Sequence, residues 1–458
     1  MRPLDGMPVV TAAAMRSAEA DAMQADVTVD TLMARAGAAI ALATQRLASG
    51  REVLVLCGPG NNGGDGYVAA TLLRAAGVVV RVAASGAPRT EPAKRARAAW
   101  GDEVADLGTV APAPVLIDAL FGTGLTRALA DDIMHPLARL AAQAGLTIAI
   151  DVPSGVSTDD GRLYATPPRF DVTLALGAAK PVHLLHPAVA HCGTIRLLDI
   201  GVPVRSDIVA LAPPILRAPG ADAHKYSRGM VAIIAGAMPG AADLASLAAM
   251  RAGAGYALLL GDRDSRTAAI VRRNYSDEAL ADQRIGAIVV GPGLGRDGPA
   301  HARLAAALAS GRPLVIDGDA LRLTDPATLR SRGGDIILTP HAGEFDALFG
   351  TGTGSKIDRA RAAALASGAT IVFKGPDTVI AEPGGRVAVA SGGSHWLSTA
   401  GTGDVLAGAI AAMLASGLAP FAAAGAGVWL HAEAARRCGA SFVADDLAAA
   451  LSPARASA

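Results

Sequence analysis

Short apolar runs alternate along the chain with longer stretches of helical periodicity, the pattern of an α/β protein built on a largely parallel sheet. The series occurs twice. In the first half, residues 52–57, 78–83, 115–118, 146–151, 172–176 and 194–198 read as strands, with helical stretches such as 67–76 and 132–144 between them. In the second half, residues 230–235, 256–260, 285–290, 313–317, 335–338 and 370–374 repeat the theme, and a hairpin is predicted to turn at Pro383, Gly384 and Gly385. Between the halves, residues 200–222 hold Pro203, Pro213, Pro214 and Pro219 with little periodicity and read as a linker. A boundary near residue 215 gives two domains, 1–215 and 216–458, each large enough to bury its own core. No repeat relates them, so two different three-layer αβα folds are expected.

One stretch, 407–430, carries no charged residue and is long enough on paper to span a bilayer. Glycines at 408, 417, 425 and 427 and Pro420 interrupt it, so a pair of buried helices turning near 416–420 is predicted instead.

Composition narrows the class. Fifty-three glycines in 458 residues exceed the usual share of about 7%, yet no Gly-X-Y period accompanies them, which excludes a collagen-like chain. Forty-one basic residues cancel 41 acidic ones; no global field is available to attract nucleic acid or an anionic membrane. Neither is expected as a partner. Cys57, Cys192 and Cys438 are odd in number and far apart, which fits neither a disulfide framework nor a CxxC metal site and suits a reducing cytoplasm. The first residues lack the order of a signal peptide.

The densest chemical signal in the first half is Gly58-Pro59-Gly60-Asn61-Asn62-Gly63-Gly64-Asp65-Gly66, placed between a strand and a helix. Such a loop brings backbone N–H groups and a helix N-terminus to an anion. It has neither the Walker spacing nor that of GxGxxG. Asp118, Phe121 to Gly124, Asp151 to Gly155 and Lys180-Pro181 lie at further strand ends, where open α/β sheets bind ligands. Singly, each aspartate could be a helix cap; together they define a site.

These segments, in this order, resemble the NAD(P)H-hydrate epimerase family over most of residues 10–205. The resemblance implies a Rossmann-like domain that interconverts the R and S forms of nicotinamide cofactor hydrated at C6. It also implies that Asn61, Asn62, Gly63, Gly64 and Asp65, with Gly122, Thr123, Gly124, Leu125, Thr126, Arg127 and Ala128, hold the hydrate. Asp151 would contact it, and Asn62, Asp118 and Ser154 would bind a potassium ion, for which oxygen ligands are suited. Asp151 is the expected proton-transferring group, because epimerisation at a hemiaminal carbon needs one. Lys180 either orients a group or pairs a carboxylate.

In the second half, Ser398-Thr399-Ala400-Gly401-Thr402-Gly403-Asp404 precedes an apolar helix predicted to start at Val405. An anion hole beside a carboxylate suits phosphoryl transfer, with Asp404 as base. Loops at other strand ends, Gly291 to Gly295, Asp317 to Leu321, Thr339 to Glu344 and Lys374 to Thr378, support it. Their order over residues 224–450 resembles the NAD(P)H-hydrate dehydratase family of the ribokinase-like superfamily. The resemblance implies that Ala241, Gly293, His341 and Asp404 contact the S-hydrate. Lys374, Gly375, Pro376, Asp377, Thr378 and Gly403 would contact the adenine nucleotide. Magnesium is expected with the nucleotide. The fused arrangement resembles the bacterial form, for which ADP is the expected co-substrate. Small-molecule substrates, hydrated NADH and NADPH with ADP, and a homo-oligomer complete the expectation.

Other signals carry less. Thr351 to Lys356 lacks Walker spacing and reads as a flexible αβ connection before a helix at 359–366; Lys94, Arg95 and Arg97 read as a solvated helix face. His183, His186 and His191 lack a metal-binding register. Two alternatives to a bifunctional repair enzyme stay open: a ribokinase-like small-molecule kinase fused to a ligand sensor, and a non-enzymatic interaction module. Asn62, Asp118 and Asp151 occurring together disfavour the latter.

Overall fold

The computed structural model describes residues 1–25, 27–261, 267–391 and 393–458. It divides into two compact units, Met1–Ala210 and Leu211–Ala458. In the first, strands Val53–Cys57 (β1), Val80–Ala84 (β2), Ala105–Asp106 (β3), Val115–Ala119 (β4), Leu146–Ile150 (β5), Val172–Leu176 (β6) and Thr194–Leu198 (β7) form a parallel sheet in the order β3-β2-β1-β4-β5-β6-β7. Alternation along β1 explains its two covered faces. Val53, Val55 and Cys57 pack with helices Val29–Ala48 and Asn61–Ala75 on one side, while Leu54 and Leu56 pack with Leu137 and Leu140 of helix Asp131–Gln143 on the other.

Two expectations shift here. The segment read as a linker contains a short strand, Ile208–Ala210 (β8), whose backbone exchanges hydrogen bonds with residues 6–9. The helix expected from residue 67 starts at Asn61, so much of the glycine loop is itself the first turns of that helix.

The second unit contains Met230–Ile234 (β9), Tyr256–Leu260 (β10), Val271–Arg273 (β11), Ile285–Val290 (β12), Leu314–Ile316 (β13), Ile336–Leu338 (β14), Thr370–Phe373 (β15), Thr378–Ala381 (β16) and Val387–Ala390 (β17). They run β11-β10-β9-β12-β13-β14-β15-β16-β17, parallel as far as β15. The predicted hairpin joins β16 to β17 as an antiparallel pair. Helices Pro239–Ala252, Thr402–Ala415, Pro420–Cys438 and Ala444–Arg455 pack together, while Pro326–Arg332 and Lys356–Ser367 form a second group against the sheet. The uncharged stretch is thus two buried helices broken at 416–419, as predicted. No single helix among the described residues is long and apolar enough to cross a membrane.

Candidate active sites

In the first unit the chain reverses direction across the sheet between β1, whose next neighbour in sequence is β2, and β4 on its other side. A crevice opens at such a switch point. The strand-end segments after β1, β4, β5 and β6 meet there around a cavity of about 570 Å³. Asn61, Asn62, Asp65, Gly122, Thr123, Gly124, Leu125, Asp151 and Lys180 line it, joined by Arg16 and Glu19 from helix Ala12–Gln24. Gly63 and Gly64 lie buried beneath it. Thr126, Arg127 and Ala128 are exposed and do not line it.

Asp151 is held with unusual firmness. Its φ is +63°, a left-handed conformation that costs a non-glycine residue of order 1–3 kcal/mol. The Asp151 N–H donates to Leu174 O at 2.9 Å. Lys180, fully buried, places its ammonium 2.5 Å from Asp151 Oδ1 and 2.7 Å from Leu176 O. His183 completes the frame: its Nδ1 accepts from Lys180 N at 2.9 Å, which leaves Nε2–H to donate to Asp151 O at 2.7 Å. Burial, followed by the Lys180 charge, pushes His183 down to about 4, so the ring is neutral as that pattern requires. Lys180 therefore pairs a carboxylate. His183, whose sequence spacing suits no metal, positions Asp151 instead.

Asp118 is fully buried at the end of β4. Its Oδ1 accepts from Leu120 N at 3.0 Å and Ser154 Oγ at 2.7 Å, and its Oδ2 from Ser154 N at 2.9 Å. Burial pushes it up to about 6, although those hydrogen bonds act against the shift. The Asn62 amide lies against Gly122, and its nitrogen is buried without a hydrogen-bond partner. Asp118 and Ser154 are thus joined directly, with Asn62 on the neighbouring loop wall.

In the second unit the corresponding reversal lies between β9 and β12. The segments after those strands bring Ala241 and Gly293 together; a Cβ added at Gly293 would lie 3.0 Å from that of Ala241. Beyond them, Lys374 Nζ pairs with Asp317 Oδ1 at 2.8 Å and stands 4.0 Å from Glu344 Oε2. Thr339 Oγ1 donates to the same Asp317 oxygen at 2.6 Å. Gly403 rides on this pair, since a Cβ there would lie 3.3 Å from Lys374 Nζ and 3.8 Å from Asp317 Oδ2. Asp404 follows in the first turn of helix Thr402–Ala415. Burial, then the charges of Asp317 and Glu344, push Asp404 up to about 7, with Lys374 opposing. Lys374 itself is pushed down by burial, but Asp317 and Glu344 outweigh that and hold it above its ordinary range.

His341 caps helix Ala342–Phe349: its Nδ1 accepts from Gly343 N and Glu344 N, while Glu344 Oε2 accepts from His341 N at 2.9 Å. Asp377 is buried and paired to Lys356 at 2.6 Å, so its carboxylate serves the loop rather than an anion. Thr351 to Lys356 joins two helices, in place of the expected αβ connection, and Ser355 caps the second. Asp317 is visible in the sequence as a strand-end residue; its place beside Asp404 is not.

A family model described as YjeF-related protein N-terminus matches residues 29–182, and one described as NAD(P)H-hydrate dehydratase matches 231–455. A bifunctional NAD(P)H-hydrate repair enzyme from Mycobacterium leprae is 34% identical over 406 residues, covering 84% of this chain and 83% of the relative. One of the same description from Salinibacter ruber is 34% identical over 519 residues, covering 96% and 94%. Among solved structures, the ADP/ATP-dependent NAD(P)H-hydrate dehydratase from Bacillus subtilis, co-crystallized with ATP/Mg2+, matches at 28% identity and a TM-score of 0.46, covering 52% of this chain and 93% of that one. With two relatives above 30% identity across most of its length, the chain belongs to the bifunctional NAD(P)H-hydrate repair enzyme family.

Proposed function

We propose that the first unit epimerises NAD(P)H hydrated at C6 and that the second dehydrates the S form with ADP, releasing AMP and phosphate. The observation that carries this reading is that one chain holds two strand-end sites, each with a carboxylate in the field of an ion-paired lysine: Asp151 on the buried Lys180 at 2.5 Å, and Asp404 near the half-buried Lys374–Asp317 pair. In the first, Asp151 moves a proton at the hydroxyl-bearing carbon while the cavity orients the ring.

In the second, a C6 hydroxyl is a poor leaving group and its phosphate ester a good one. Asp404 accepts the hydroxyl proton as the oxygen bonds to the terminal phosphorus of ADP and the bond to AMP breaks. Loss of phosphate from C6 and of a proton from C5 then restores the ring double bond. Backbone N–H groups at the start of helix Thr402–Ala415 face the developing anion, the setting in which such donors act most strongly.

The donor set near Asn62, Asp118 and Ser154 suits potassium. All three offer oxygen, and Asp118 has no cationic partner among the described residues; an Asn62 amide turned over would present its oxygen where an unpartnered nitrogen now sits. Bound there, the ion would neutralise Asp118. The described residues include no cluster of three His, Cys, Asp or Glu able to hold a metal. Magnesium would therefore arrive with the nucleotide phosphates and supply charge neutralisation to them.

The test is NADH recovery from a mixture of R and S hydrates. The whole chain with ADP should recover both forms; Asp151→Ala should recover only the S fraction, and Asp404→Asn neither. Recovery without nucleotide, or undiminished R conversion by Asp151→Ala, overturns the reading.

A further inference from the structure

Inverting a hemiaminal centre takes two proton movements. The hydroxyl must be protonated to leave, and the water that replaces it must be deprotonated. Asp151, ion-paired to Lys180, is set to accept the proton of the incoming water, so a second group must supply the one the leaving hydroxyl needs. Among the other charged groups that line the cavity, Arg16 and Arg89 are permanent cations, Lys180 is bound to Asp151, and the two remaining carboxyls are Glu19 and Asp65.

Asp65 stands in helix Asn61–Ala75, which follows β1, and its carboxyl has no hydrogen-bond or ion-pair partner among the described residues. Asp151 follows β5. Because β4 lies between β1 and β5, the segments that carry the two carboxyls leave the sheet on either side of β4, and both residues line the one cavity at its end. Burial, then the negative charges of Asp151 and Glu19, push Asp65 well above the usual carboxylate range, toward the protonated form that a general acid needs.

We propose that Asp65 is the general acid of the epimerase, working on the ring face opposite Asp151. This rests on the reading of the first unit given above. The Asp65 proton passes to the C6 hydroxyl, the C6–O bond breaks and water leaves, while the ring nitrogen lone pair forms a C6=N1 iminium. A second water bonds to C6 from the other face, its proton goes to Asp151, and the electron pair returns to nitrogen. In the reverse direction the two residues exchange roles, and exchange with cavity water resets them. No oxidant or reductant is needed.

The experiment uses the whole chain, purified R-hydrate of NADH, and water labelled with heavy oxygen. In the wild type each inversion should place one solvent oxygen on C6, above the rate seen without enzyme. Asp65→Asn, close in shape to the neutral acid, should lower kcat for R-to-S conversion at least ~100-fold, within the usual worth of a general acid. KM should change only a few-fold, and the alkaline limb of the kcat profile should disappear. Dehydration of S-hydrate with ADP by the same variant should be unchanged, which reports that the chain has folded. Inversion without entry of solvent oxygen overturns the proposal even if the variant is unstable. A wild-type kcat in Asp65→Asn also overturns it; if Asp151→Ala is then inactive, only the acid assignment fails, whereas two unaffected variants remove the epimerase reading itself.

Discussion

Gly60 and Gly63 sit three residues apart and answer to opposite constraints. A Cβ at Gly63 would lie 1.9 Å from Gly58 O, and one at Gly58 would lie 1.7 Å from Leu120 O. Those glycines let the loop after β1 close against the loop after β4. Gly60 has extended backbone, lines the cavity and has no atom within 4 Å of the place a methyl group there would occupy. Gly63→Ala should therefore destabilise the first unit by several kcal/mol, the clash outweighing the roughly 1 kcal/mol that alanine gains over glycine in a helix. Gly60→Ala should leave stability within about 0.5 kcal/mol and raise KM for the hydrate, because its methyl enters the cavity. Thermal unfolding and epimerase kinetics separate the two. Read from sequence, all the loop glycines share one purpose, close approach to a ligand. That reading finds the right loop but cannot see that Leu120 and Ala119, distant in sequence, become its neighbours through β1–β4 pairing.

At the scale of elements, the decisive unit is the first turn of helix Thr402–Ala415 set against the ends of β13, β14 and β15. The apolar pattern places the helix start at Val405, but it begins at Thr402 and carries Asp404 inside its first turn. His431 Nε2 donates to Thr402 O at 2.9 Å and helps seat that turn. A base must be unprotonated to act, and Asp404 is pushed up to about 7. The dehydration rate should therefore rise with pH through neutrality and level off above it. Lys374 is the group that opposes the rise in Asp404, so Lys374→Met should move this acid limb to higher pH, measured as kcat at saturating ADP. A limb that stays in place or moves down would contradict the assignment of Asp404 as the base. The motif itself is legible as glycines before an apolar helix. What pairs with it is not, because Asp317 and Lys374 meet only when β13, β14 and β15 lie side by side.

Over the whole molecule, equal numbers of acidic and basic residues leave no field to gather anionic substrates. Binding then depends on local groups, the helix starts and ion-paired lysines of each site, and these groups lie within one unit or the other. Each unit is also of a size that sustains an independent core. The residues assigned to each site all fall on one side of the Ala210–Leu211 division. A chain beginning at Leu211 should thus convert the S fraction of a mixed hydrate with ADP and leave the R fraction, while a chain ending at Ala210 should equilibrate R and S without consuming nucleotide. Mixed in equal amounts, the two should recover all the NADH, because the S-hydrate can diffuse from one site to the other. The rate of the second phase, conversion of the R fraction, should then match the joined chain at high substrate. If the mixture recovers only the S fraction although the shorter first unit is folded by hydrogen exchange, the sites do not act independently, and the assignment of one activity to each unit fails.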